Sequence, residues 1–271
     1  MNLQNIFNEI EKTDPEVYER LDSRRNVMHR FTNLGGKLAL TALPFALGSM
    51  LNKAYGQTST DIVGILNFAL TLEYLEAAFY EKALGTADLI KDQDDVAAFT
   101  LIKQHEDDHV AFLTTTISSL QGTPATEPEF DFTAQGIFPT VFSNYATFLA
   151  LSQTFEDTGV RAYKGQAGNL IANNTVLTAA LQIHSIEARH AAHVRRLRAI
   201  NDPSVKPWIT GKSTSGIGSS VQSSYDGEEN VTQLGIDVTN LPGVTGASAT
   251  EAFDEPLTME QVLAIVDPFI V

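Results

Sequence analysis

The sequence predicts an all-α fold: a four-helix bundle with a long crossover between its second and third helices, followed by an irregular C-terminal extension. Three observations carry that expectation. Four stretches between residues 58 and 200 repeat apolar side chains at helical spacing. The links between them run short, long, short, which makes two antiparallel helix pairs joined by one crossover. The second and fourth stretches each hold a Glu followed three residues later by a His, Glu106–His109 and Glu187–His190.

The chain divides into residues 1–57, 58–200 and 201–271. In the first part Arg24 and Arg25 follow Ser23, and a mostly apolar run over 34–51 ends near the small residues of "KAYGQ". This is the pattern of a twin-arginine export signal, which would place the protein in the periplasm or outside the cell and confine membrane contact to this segment. The alternative is an amphipathic helix that stays attached, a reading favoured by Lys37 inside the apolar run. Residues 1–56 carry 7 Lys/Arg against 6 Asp/Glu, and residues 57–271 carry 11 against 27, so the basic residues belong to the head.

The first helix is expected over roughly 60–84, with Ile62, Ile65, Leu66, Ala69, Leu72, Leu75 and Phe79 on one face and Thr60 or Asp61 as its cap. The second spans roughly 94–120 and stops at Gly122 and Pro124. After "QGTPATEPEFDFTAQGIF" the third runs over roughly 139–166, with Pro139 suited to a first turn. The fourth covers roughly 174–200 and closes at "NDP". Beyond it, "TGKSTSGIGSSVQSSYDG" reads as loop and "PLTMEQVLAIVDPFIV" as a short docked helix. The extension has too little periodic apolar content for a core of its own and is expected to wrap over the helices.

Net charge is −15 and there is no cysteine. The first argues against nucleic-acid binding, and the second excludes disulfides and thiolate chemistry. Any metal must be held by imidazole and carboxylate, a donor set suited to iron, manganese or zinc.

Residues i and i+3 share a helix face, so each Glu-x-x-His pair aims a carboxylate and an imidazole at one point. A four-helix dimetal site needs one further carboxylate from each remaining helix. Glu73 in "LTLEYLEAAFY" and Glu156 in "LSQTFEDTGVRAY" fill those places. Both lie mid-helix in apolar surroundings, where an uncompensated carboxylate is costly. The expected metal ligands are therefore Glu73, Glu106, His109, Glu156, Glu187 and His190.

An internal duplication supports the set. Glu73 precedes Tyr80 by seven residues, as Glu156 precedes Tyr163; Glu73 precedes Glu106 by 33, and Glu156 precedes Glu187 by 31. Around this frame, Glu76 is expected beside the ligands or in a salt bridge, with Gly159 at the matching place in the copy. Tyr80 and Tyr163 are either core aromatics or donors that orient the carboxylates. His184 and His193 are expected on a helix face or as donors to the ligands, and His105 and Asp108 in solvent. The cations of "RHAAHVRRLR" are accounted for by the dipole at a helix C-terminus.

The phrases "ILNFALTLEYLEAAFYEKAL", "KQHEDDHVAFL", "LQIHSIEARHAAHVRRLR" and "EAFDEPLTMEQVLAIVDPFI" resemble the ferritin-like superfamily, and more narrowly the bacterial ferritin-like domain proteins related to desiccation-related proteins. The resemblance covers residues 58–271. It implies a di-iron or di-manganese carboxylate bundle with the same six ligands, hence two divalent cations. It does not choose an activity, and the extension and N-terminal segment depart from cage-forming ferritins. Two readings follow. One is redox chemistry on a small inorganic substrate (O2, H2O2 or Fe2+), as a ferroxidase or catalase-like oxidoreductase. The other is a non-catalytic structural or desiccation-protective protein with a closed metal site. A homo-oligomer is compatible with either.

Overall fold

The computed structural model describes residues 59–271, and the export-signal expectation for residues 1–57 lies outside them. The described chain is mostly helical. Four long helices dominate: α1 (Ser59–Leu84), α2 (Gln93–Ser119), α3 (Tyr145–Ala167) and α4 (Asn174–Ala199). Helices α1 and α2 pack as one pair, α3 and α4 as another, and α1 also touches α3.

Local chemistry sets the helix ends. Asp92 caps α2, its side chain accepting from the Asp94 and Asp95 amides at 2.9 and 3.2 Å. Asn173 caps α4 through the Val176 amide at 3.2 Å. Each satisfies an amide that the first helical turn leaves without an intrahelical partner. Two expected starts are corrected. Helix α1 is already helical at Ser59, so neither Thr60 nor Asp61 is its cap. Helix α3 begins at Tyr145 rather than near Pro139, because Asn144 takes the cap position and bonds the Thr147 amide at 3.2 Å. Residues 139–143 form turns instead.

The seven apolar positions expected on the inner face of α1 are all buried. Below them lies an aromatic layer in which Phe79 stacks on Phe148 at 5.2 Å and meets Phe155 edge-on at 5.1 Å. Burial of this much ring area supplies a large part of the apolar driving force.

The rest of the chain wraps against α3. A two-stranded hairpin, β1 (Thr232–Gln233) with β2 (Ile236–Asp237), is followed by α5 (Gly246–Thr250) and α6 (Met259–Val266). Helix α6 is the short docked helix expected near the C-terminus. It packs on α3, and Ile270 then pairs with Phe130 of the α2–α3 connection. This second cover explains why every residue from 151 to 163 is buried.

The closest approach is at Gly165, where a Cβ would stand 1.8 Å from the Leu257 carbonyl oxygen. Gly165→Ala therefore forces backbone apart. The expected cost is about 1–3 kcal/mol, as for other overpacked sites, with faster proteolysis in residues 201–271 than in the parent protein; denaturant melts and timed digestion read both.

Candidate metal centre

Each helix contributes to one buried cluster. The i, i+3 spacing places Glu106 and His109 on the inner face of α2, and Glu187 and His190 on that of α4; Glu73 and Glu156 enter from α1 and α3. All six side chains named from the sequence meet there. Their donor atoms form two groups, Glu73, Glu106, His109 and Glu187 in one, and Glu106, Glu156, Glu187 and His190 in the other. Within each group the atoms lie within 4.8 Å of one another. Glu106 and Glu187 belong to both.

The distances show how the two groups are shared. His109 Nδ1 stands 3.1 Å from Glu73 Oε2, 3.1 Å from Glu106 Oε2 and 3.2 Å from Glu187 Oε1. His190 Nδ1 stands 2.9 Å from Glu106 Oε1, 3.3 Å from Glu156 Oε2 and 3.5 Å from Glu187 Oε2. Each shared glutamate thus turns one oxygen toward each imidazole. Even so, Glu106 Oε1, Glu156 Oε2, both Glu187 oxygens and His190 Nδ1 are buried without an aligned hydrogen-bond partner. Buried polar atoms are rarely left so. Donors gathered this closely yet misaligned for bonding one another could hold metal.

Residues 61–199 match the ferritin-like domain profile. The chain belongs to the ferritin-like domain family. Comparison with curated proteins gives no match. In this ferritin-like protein the matched region holds all six cluster residues and leaves out the C-terminal extension.

The cluster is electrostatically tense. Burial, then repulsion from Glu187, pushes the Glu106 carboxyl well above the ordinary range, although His109 and His190 pull the other way. Burial also raises Glu156, against the opposing charge of His190, to about 7. Burial opposes ionisation of Glu187 too, but the imidazoles of His109 and His190 close beside it outweigh that and hold this carboxyl down at about 2. Both imidazoles are raised: burial works against their protonated forms, and the surrounding carboxylates overcome it.

Tyr80 and Tyr163 act crosswise. Tyr80 on α1 donates to Glu156 on α3, and Tyr163 on α3 donates to Glu73 on α1. Each tyrosine follows its own helix's glutamate by seven residues and bonds the other helix's glutamate. The two readings the sequence left open meet here: both are buried core aromatics, and their hydroxyls bond the carboxylates. Burial and then the carboxylate beside it raise each phenol, which keeps it a donor.

Other expectations change. His105 is not in solvent: its Nδ1 lies 3.0 Å from His190 Nε2 and the two rings stack. In the neutral ring, an Nε2–H of His190 donated to His105 would leave Nδ1 as the lone-pair nitrogen facing the cluster. Asp108 is exposed, as expected. Glu76 is buried and makes no salt bridge among the described residues; burial and the neighbouring Glu187 raise its carboxyl strongly. Gly159 gives it room, since a Cβ there would stand 3.3 Å from Glu76 Oε1. His184 and His193 are half-buried on α4, each with an Nε2 that has no hydrogen-bond partner among the described residues.

The helix-dipole account of the cationic run does not hold for Arg195, and Arg161 has a structural role that the sequence reading did not name. Arg195 is buried and bonds Asp157 twice, at 3.0 and 2.6 Å. Arg161 spreads over the Ser224, Asp226 and Glu255 carbonyls at 2.6, 2.8 and 2.8 Å and pairs with Glu228 at 2.7 Å. Neither is a helix-end cation in solvent; both tie the extension to α3 and α4. The sequence signal is "EDTGVRAY", where Asp157 and Arg161 are, besides Glu156, the charged residues of 145–163.

Proposed function

We propose that this is a dimetal carboxylate protein of the four-helix-bundle type, with the long crossover between α2 and α3, that carries out redox chemistry with O2 or peroxide. The observation that carries this reading is the pair of donor groups sharing Glu106 and Glu187. Glu73 and His109 would complete one ion's ligands, Glu156 and His190 the other's, and Glu106 and Glu187 would span both. Iron or manganese, bound as a pair, supplies two one-electron steps, enough to take O2 and two protons to H2O2, or H2O2 and two protons to two waters.

The chain's own part is to hold and orient. Tyr80 and Tyr163 fix the two unshared carboxylates, and His105 fixes the tautomer of His190. The buried apolar layer excludes bulk water and strengthens every charge interaction inside. Zinc fits the same donors but has no redox step. The test is elemental analysis of protein purified from its native compartment, followed by stopped-flow mixing of the ferrous or manganous form with O2 and with H2O2. Two ions per chain and turnover with either oxidant are expected. A zinc-only complement, or full loading with iron and manganese and no turnover, overturns the reading in favour of a closed, non-catalytic site.

Metal uptake has a pH signature. His109 and His190, raised above 6.5, are protonated at pH 7, and Glu156 at about 7 is partly so. Ligation needs neutral imidazole and ionised carboxylate, so loading at pH 7 is expected to release about two protons or more. Calorimetric titration in buffers of different ionisation enthalpy counts them. The sign for the metal-free protein follows from the same shifts. Raised imidazoles and a raised Glu156 contribute stability below their unfolded values and lose it as pH climbs through the folded ones. Glu187, lowered, loses its contribution only in strong acid. Metal-free protein is therefore expected to weaken as pH rises from about 5 to 8, while the stabilisation gained from added metal grows.

A further inference from the structure

The duplication that builds the cluster breaks at one place that decides access. Four residues before His109 on α2 stands His105, which covers His190 from outside with the imidazole contact described above. Four residues before His190 on α4, the matching position holds Ile186. It offers His109 no such cover. Instead Ile186 lines an open pocket of about 220 Å³ between α2 and α4, together with His109, Phe112, Ala179, Gln182 and Ile183. The His109 side chain keeps 12% of its exposure against 5% for His190. One side of the cluster is closed by a histidine and the other opens on an apolar hollow.

We propose that this pocket is the entry site for a small uncharged oxidant, O2 or H2O2, which reaches the cluster on the His109 side; the inference rests on the redox reading above. Four of the six walls are apolar and none is a carboxylate. That absence is telling in a chain with 27 acidic residues against 11 basic ones over 57–271. A route for divalent cations would be lined with acids, as rings of Asp and Glu line cation pores. Enclosed apolar cavities lined by Leu, Ile and Phe take up xenon, and Phe112, Ile183 and Ile186 supply walls of the same chemistry here. Gln182 at the rim supplies the one uncharged polar group besides the imidazole. His109 lines the pocket, and its Nδ1 lies 3.1, 3.1 and 3.2 Å from the Glu73, Glu106 and Glu187 oxygens.

Two substitutions that touch no cluster residue test this. Ala179→Leu fills the hollow from its wall, and Ile186→Ala widens it. Xenon-pressurised crystals report the pocket directly, metal titration reports loading, and stopped-flow oxidation of the ferrous form reports access. The expected result is a xenon site in the parent protein and in Ile186→Ala that is lost in Ala179→Leu. Ala179→Leu should bind metal with unchanged stoichiometry and oxidise at least tenfold more slowly, and Ile186→Ala should be no slower than the parent. Slowing with O2 alone or with H2O2 alone names the oxidant that uses the pocket. Oxidation within twofold of the parent in a fully loaded Ala179→Leu overturns the proposal, as does absence of xenon from the parent pocket. A parent protein that takes up xenon there yet oxidises with neither reagent overturns the redox reading instead, so the two failures are told apart.

Discussion

Glu187→Gln is expected to remove stable metal from both positions at once, whereas Glu73→Gln weakens only one. The difference follows from which oxygens each glutamate offers. Glu187 turns Oε1 toward His109 and Oε2 toward His190, at 3.2 and 3.5 Å, and belongs to both donor groups. An amide keeps the shape but removes the negative charge and one of the two acceptors. Glu187 is also held down at about 2, so it is already ionised when a cation arrives. Losing a partner outside the ligand set costs about 10–100-fold in affinity, and loss of a shared ligand should exceed that at both positions. Glu73 belongs to one group, where Tyr163 orients it. Its amide variant should retain close to one ion per chain. Elemental analysis after desalting distinguishes the two. A thermal melt with and without chelator adds a second reading, because an ion that binds only the folded state stabilises it by mass action. Chelation should lower the parent's melting temperature and leave that of Glu187→Gln unchanged. Two tightly held ions in Glu187→Gln would mean that it does not span both positions.

The cluster was legible in the sequence because its logic is local. Glu106–His109 and Glu187–His190 are fixed by a three-residue spacing on one helix face, and Glu73 and Glu156 by their place in a repeated frame. Helical periodicity then needs only the order of the helices to bring them together. Less legible were contacts that depend on how helices rotate against each other. Tyr80 could be read as a donor, but not as a donor to Glu156, 76 residues away on another helix. His105 reads as exposed because it only adjoins the ligand face of α2; the packing of α2 against α4 brings it to His190. The start of α3 was misplaced because Pro139 is a good first-turn residue in isolation, and Asn144 is a better cap. Hardest to read was the extension. Arg161 bonds the Glu255 carbonyl across 94 residues, and no periodicity announces a side chain that satisfies backbone groups in irregular chain. A helix C-terminal dipole explained the cationic run on α4 well enough to hide that Arg195 points inward.

Arg195→Met should be among the most destabilising single changes in the protein. The arginine and Asp157 are both buried and joined by two short bonds, and Tyr225 donates to the same carboxylate at 2.9 Å. Removing one partner of such a pair strands the other's charge, which costs about 3–5 kcal/mol. Arg195 also donates to the Lys206 and Trp208 carbonyls at 3.4 and 3.2 Å and to Ser215 Oγ at 3.2 Å, so the extension loses its tie to α4 as well. Arg161 still holds Ser224, Asp226 and Glu228, and Arg198 still bonds the Ser215 carbonyl, but the stretch's own buried apolar cluster is small: Ile209, Val221 and Tyr225. Equilibrium unfolding should show the loss, and digestion should open residues 201–230 before the four long helices. The double variant Arg195→Met/Asp157→Leu separates charge from packing. If the penalty is a stranded carboxylate, the double should recover most of the lost stability, since apolar replacements of a buried pair are often neutral or better. Tyr225 would still hold the bond from Gln153 at 3.0 Å, but its own donor would go unmet, so recovery should stop short of the parent. A double variant no more stable than Arg195→Met would show instead that the bonds to the extension's carbonyls, rather than the ion pair, are what Arg195 contributes.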